Sequence, residues 1–153
     1  MSFVDEITIY ARAGKGGDGV ERWRHEKFRE FGGQSGGNGG RGGSVYLKAV
    51  RDVHLLAKYR HQKEFFAENG EDGKKNSLHG VNGVDLDIEL PLGSVVTNTQ
   101  TGETISLETE GERILILRGG QGGRGNESFK SSTNQRPKET TPGKKGEDAE
   151  LSI

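Results

Sequence analysis

Cysteine is absent from the 153-residue chain. That rules out disulfides and thiolate metal sites and fits a reducing compartment. There are only three prolines, so a collagen-type triple helix does not fit. Hydrophobic residues make up 29% and the mean hydropathy is −0.79. Both are low for a globular chain, so a small core needs a second structural principle beside it. No apolar run approaches the ~18 residues of a membrane span. The N-terminus, MSFVDEITIY, is acidic and alternating, unlike a signal peptide. The expectation is a cytoplasmic protein with no membrane partner. A formal net charge of −1 provides no global basic field. No DNA partner is expected, and any nucleic-acid affinity must be local.

What the chain does have is glycine, 26 residues of it. In Gly32 to Gly43, GGQSGGNGGRGG, eight of twelve residues are glycine, in two interleaved registers of period three. That period belongs to neither helix nor strand. It belongs to the polyproline II helix, where glycine at every third place bares an edge on which a second backbone can lie. The bland alternative is a flexible linker. The layout favours packing, because three charged or polar excursions each sit between two period-three legs. Val20–Phe31 lies between a leg with Gly14 and Gly17 and one with Gly33, Gly36, Gly39 and Gly42. Lys74–His79 lies between Gly70, Gly73 and Gly80, Gly83. Asn126–Pro142 lies between Gly119, Gly122, Gly125 and Gly143, Gly146. These glycines are expected to be structural.

Strands flank the legs. Alternation predicts strands over Val4–Arg12, Ser44–Val50, Lys63–Ala67, Val84–Leu90 and Ala149–Ile153, and a hairpin of Ser94–Thr97 with Thr104–Thr109. Glu112–Arg118, ERILILR, is apolar on both faces and reads as a central strand. Asp52–Tyr59 reads as a helical turn capped by Asp52. The predicted fold is mainly β: a small β-barrel or sandwich base, a glycine-rich bundle of about six polyproline II helices, and three projecting loops. All of 1–153 forms this single domain.

No catalytic constellation stands out. GxGxxG occurs at Gly14, Gly16, Gly19, but it recurs at Gly37, Gly39, Gly42 and at Gly120, Gly122, Gly125. Without a βαβ unit it is a by-product of overlapping registers rather than a dinucleotide fingerprint. Lys15, Lys74 and Lys144 follow glycine, yet none precedes Ser or Thr, so there is no P-loop. His25, His54, His61 and His79 lie in unrelated segments, and no metal site is expected. The chain reads as a non-enzyme.

Each excursion is net positive, so the remainder of a chain of net charge −1 is acidic. The first tip carries Arg22, Arg24, His25, Lys27 and Arg29 beside Trp23, Phe28 and Phe31. The second carries Lys74, Lys75 and His79, and the third Lys130, Arg136 and Lys138 beside Phe129. Bases contact phosphates, and exposed rings stack on splayed RNA bases. The competing readings are a solvated mixed-charge surface, a disordered RGG-type tail at Arg41, a protein-interaction module using the base, and a glycine-bundle ice-binding face. The charged tips disfavour the last.

The runs FVDEITIY, AGKGGDG, RHEKF, GGNGGRGGSVYL, FAENGEDG, HGVNGVDLDIELPLGSVV and RGGQGGRGN resemble the N-terminal domain of the Obg family of ribosome-associated GTPases. The resemblance covers essentially the whole chain. It implies the same base, glycine helices and three loops. It also implies a parent GTPase, binding GTP and Mg2+, that acts in large ribosomal subunit assembly. The parent's N-terminal loops would enter the peptidyl-transferase region of 23S-type rRNA as tRNA does and hinder subunit joining. The absent GTPase domain, expected past Ile153, would report nucleotide state and the stringent-response alarmone. The alternative role is coupling the GTPase to stress-response proteins through the β base. Against the family pattern, Phe31, Val81, Asn82 and Ser128 stand where basic residues are common, and His25 replaces one in the first tip. Arg29, Lys74, Lys75 and Arg136 are the compensating candidates.

Overall fold

Alternating apolar residues build two short sheets. The computed structural model describes residues 6–19, 37–52, 54–74, 78–125 and 140–153. β1 (Thr8–Arg12) buries Ile9 and Ala11 and exposes Thr8 and Arg12. β2 (Val45–Val50) buries Val45, Leu47 and Ala49. The others are β3 (Glu64–Phe66), β4 (Leu86–Pro91), β5 (Val95–Asn98), β6 (Thr104–Ser106), β7 (Arg113–Leu117) and β8 (Asp148–Ser152), with one helical turn, α1 (Leu55–Lys58). The sheet orders are β3-β1-β8-β5-β6 and β4-β2-β7. Both sheets feed one core, whose most enclosed side chains include Ile9, Leu47, Ile88, Leu90, Leu107 and Val96.

Of the two bases expected, the structure has two separate sheets rather than a closed barrel. Two local expectations also need correction. β7 is not central: it ends its sheet, pairing only with β2 among the described strands, and Leu115 is 39% exposed. Ile114, opposite the buried Leu47, packs partly buried against the core, whereas Leu115, opposite Tyr46, is exposed, so the strand is not buried on both faces. Asp52 is not the helix N-cap. His54 holds that position with no side-chain cap, while Asp52 Oδ1 accepts the His54 N–H at 3.0 Å and closes the preceding turn.

The strands continue out of the base as six extended legs. Legs 1, 3 and 6 (residues 13–19, 67–74 and 140–147) prolong β1, β3 and β8. Legs 2, 4 and 5 (37–44, 78–85 and 118–125) prolong β2, β4 and β7. Sheet neighbours stay neighbours as legs. Leg 1 donates to leg 6 from Ala13, Gly16 and Gly19, and leg 2 donates to leg 5 from Gly39 and Gly42. Other bonds run between the rows, such as Gly14 and Gly17 N–H to the Gly43 and Gly40 carbonyls. The three-residue repeat of these bonds is that of the polyproline II helix.

The legs need glycine for space rather than for unusual backbone angles. Positive φ occurs at Gly93, Gly102 and Gly111, which lie in turns with open space around them. No described leg glycine has it. Instead, a Cβ on Gly39 would overlap the Gly17 carbonyl, and one on Gly122 would overlap the Gly39 carbonyl.

Candidate nucleic-acid interface

A stalk of packed backbones must satisfy every buried N–H, and glycines alone cannot do it. In leg 1 the N–H groups of residues 13, 14, 16, 17 and 19 reach carbonyls, leaving Lys15 and Asp18. Those two donate to Asn69 Oδ1 (2.9 Å) and Asp72 Oδ1 (2.7 Å) of leg 3. Leg 2 repeats the scheme. Asn38, Arg41 and Ser44 N–H donate to His79 Nδ1, Asn82 Oδ1 and Asp85 Oδ1 of leg 4, each at 2.8 Å. In leg 5, Arg118 and Arg124 N–H donate to Glu147 Oε1 (2.7 Å) and Thr141 Oγ1 (2.6 Å) of leg 6. Asp18 Oδ1 also accepts the Gly143 N–H, and Asn38 Oδ1 the Gly125 N–H. Every backbone N–H from residue 37 to 44 thus has a partner.

These capping side chains were the functional feature missed in the sequence. Their signal is a second period of three: Asn69 and Asp72, then His79, Asn82 and Asp85. The separations are constant because the paired legs run parallel: 54 residues for the first set and 41 for the second. The third position faces solvent along most of the legs, Ser44 of leg 2 being buried. On leg 4 it carries Leu78, Val81 and Val84, exposed by 57%, 63% and 66%.

The described ends of all three excursions are bonded together at one end of the stalk. Gly19 N–H donates to the Thr141 carbonyl, Gly37 to Lys74, and Gly125 to the Asn38 side chain. Arg22, Arg24, His25, Lys27 and Arg29 lie outside the described residues, as do Lys75, Lys130, Arg136, Lys138, Gly33, Gly36, Phe31 and Ser128. Of the tip candidates two are described. Lys74 is exposed and stands 3.7 Å from Glu71, a loose pair. His79 uses Nδ1 as an acceptor within the stalk, leaving the far side of its ring for any ligand. Asn82, a departure from the basic residue often found there, is occupied as a cap, a role lysine has no acceptor to fill.

The base carries its own polar contacts. Arg113 Nε donates to Asp87 at 2.8 Å and its guanidinium lies 3.6 Å from the Tyr46 ring centre. The hydrogen bond to Asp87 raises its pKa. Tyr10 donates to Asp148 at 2.6 Å, which holds the phenol protonated above its ordinary range. Among the described residues, no group of three or more His, Cys, Asp or Glu is placed to hold a metal ion. No described helix is long and apolar enough to cross a membrane.

The arrangement defines a class of protein: a presenting scaffold whose backbone is consumed by its own packing and which joins the described ends of three excursions at one end. The GTP1/OBG family model matches residues 4–153. GTPase Obg of Persephonella marina is 45% identical over 149 residues, covering 97% of this chain and 44% of that protein. The chain therefore belongs to the GTP1/OBG family, and it spans less than half the length of this relative.

Proposed function

We propose that this chain is the ribosome-docking domain of an Obg-type GTPase that acts in large-subunit assembly in the cytoplasm. The tips enter 23S-type rRNA near the peptidyl-transferase region in a tRNA-like way and hinder subunit joining. Arg22, Arg24, His25, Lys27 and Arg29 contact RNA from the first tip, Lys74, Lys75 and His79 from the second, and Lys130, Arg136 and Lys138 from the third. GTP and Mg2+ belong to the part of the full-length protein that this chain does not span. The observation that supports the reading is the bonding of the three excursion ends at one end of a stalk with satisfied N–H groups. Fixing the roots of three loops beforehand spares part of the ~1–2 kcal/mol per residue of backbone entropy lost on ordering.

The test is binding of the chain to purified large ribosomal subunits across a KCl series. RNA docking predicts a log-log slope of about −0.7 to −0.9 per phosphate contact, reduced in the Arg24→Ala/Lys27→Ala variant. A salt-independent affinity that this variant leaves unchanged refutes tip docking and favours a protein partner for the base.

A further inference from the structure

The sides of the stalk differ in charge. Legs 2, 5 and 6, over residues 37–44, 118–125 and 140–147, carry Arg41, Arg118, Arg124, Lys144 and Lys145 against one acid, Glu147, whose carboxylate accepts the Arg118 N–H. Legs 1, 3 and 4, over residues 13–19, 67–74 and 78–85, carry Asp18, Glu68, Glu71, Asp72 and Asp85 against Lys15 and Lys74. All five cations are exposed, and none forms an ion pair with a described residue.

Their placement follows from the leg geometry. Arg118, Gln121 and Arg124 occupy the solvent-facing third of leg 5, because Cβ atoms at Gly119 and Gly122 would meet leg 2 and those at Gly120 and Gly123 would meet leg 6. Arg41 lies level with Gln121, since its neighbours Gly42 and Gly39 donate to Gly120 and Gly123 of leg 5. Arg118, Arg41 and Arg124 therefore form a row along one side, with steps of about 9 Å from three residues of ~3.1 Å rise. Beside it an open groove of about 510 Å³ runs between legs 5 and 6, lined by Gln121, Arg124, Pro142 and Lys144 among others. The backbone N–H groups of the row are already bound to Asn82, Glu147 and Thr141. Only the guanidinium groups remain to engage a ligand.

We propose that this side of the stalk is a second RNA-contacting surface, lying along a phosphate backbone while the tips reach ahead of it. The inference rests on the ribosome-docking reading. RNA is favoured over a protein because the row has guanidinium groups, suited to bidentate phosphate contact. The row itself carries no apolar side chain, the exposed Leu78, Val81 and Val84 belonging to the neighbouring leg 4.

The test is the same subunit-binding series with the variant Arg41→Gln/Arg118→Gln/Arg124→Gln. Its folding is checked by thermal melting. The slope is expected to fall in magnitude by about 2 to 3, at ~0.7–0.9 per phosphate lost. A control, Lys58→Gln/Arg60→Gln/Lys63→Gln, removes the same charge from exposed positions of the base and is expected to leave the slope unchanged. If the triple variant melts early, Arg124→Gln alone carries the test, with an expected loss of about one contact. An unchanged slope in the row variant while Arg24→Ala/Lys27→Ala still lowers it overturns this proposal and leaves the docking reading standing. An equal loss in the base control overturns it as a mere net-charge effect. Failure of the unmodified chain to bind subunits overturns the docking reading, and this proposal with it.

Discussion

Replacing Gly39 with alanine separates two opposed expectations. The backbone at Gly39 is not in the positive-φ region. Chain-entropy reasoning alone therefore predicts that alanine stabilises the fold by about 0.4–1 kcal/mol. Packing predicts the reverse. The new Cβ points at the Gly17 carbonyl oxygen, carbon and the Asp18 nitrogen, all of them backbone atoms that no rotamer change can move aside. Legs 1 and 2 must part, which strains the bonds Gly17 N–H to Gly40 and Gly39 N–H to Gly123, at 2.8 and 2.7 Å. Overpacking contributes about 1–3 kcal/mol and each weakened bond about 1 kcal/mol. The expected loss is then roughly 3–5 kcal/mol of a total near 5–15. For a chain of this length it lowers the melting temperature by on the order of 10–15 °C. The assay is a thermal melt followed by circular dichroism, with Gln121→Ala as the control. Gln121 is exposed on the free third of leg 5 and should change stability by less than about 0.5 kcal/mol. A Gly39→Ala protein that melts at or above the temperature of the unmodified chain refutes the packed-stalk argument.

Asn82→Ala removes the acceptor for the Arg41 N–H and should lower stability by about 1 kcal/mol, whereas Asn82→Asp keeps an acceptor and should recover most of it; urea denaturation distinguishes them. Tyr59 is buried, and burial raises its pKa above 10.0, with Glu89 adding to the shift. A folded-state pKa above the unfolded one gives stability that is complete below about pH 10 and lost as pH rises through the folded value. Tyr59→Phe should therefore flatten the fall in melting temperature on the alkaline side while costing about 1 kcal/mol at neutral pH through loss of the bond to the Glu89 carbonyl. Arg113→Ala should destabilise only slightly, since its pair with Asp87 is half exposed and screened by solvent; chemical denaturation of the single and double variants isolates the coupling.

The stalk could be read from the sequence because its constraint is local and repetitive: a missing Cβ every third residue leaves its mark however the legs pair. Strands with one wet face, such as β1 and β4, were legible for the same reason. Partner-dependent features were not. From the sequence His79 reads as a tip residue and Asn69 carries no signal of its own, and only the arrival of Asn38 and Lys15 from other legs makes them caps. The apolar outer face of β7 looked buried because partial cover and full burial leave the same composition, and sheet order depends on pairings far apart in sequence. The lateral charge separation is not legible in the sequence because Arg41 and Arg124 are 83 positions apart by number and come to one side only when legs 2 and 5 pair.

The pairing of leg 1 with leg 6 has a consequence for how the chain comes into being. Gly16 donates to Lys144, and Gly143 donates to Asp18, 125 residues away. At ~5–20 residues per second of synthesis, leg 1 waits roughly 6–25 s for these partners to be made. During that interval the N–H groups of Ala13, Gly16 and Gly19 have only water to bind. Legs 1 to 4 can bond one another earlier, as Gly17 does to Gly40 and Gly40 to Glu71, but the stalk is closed only when leg 6, among the last residues made, reaches leg 1.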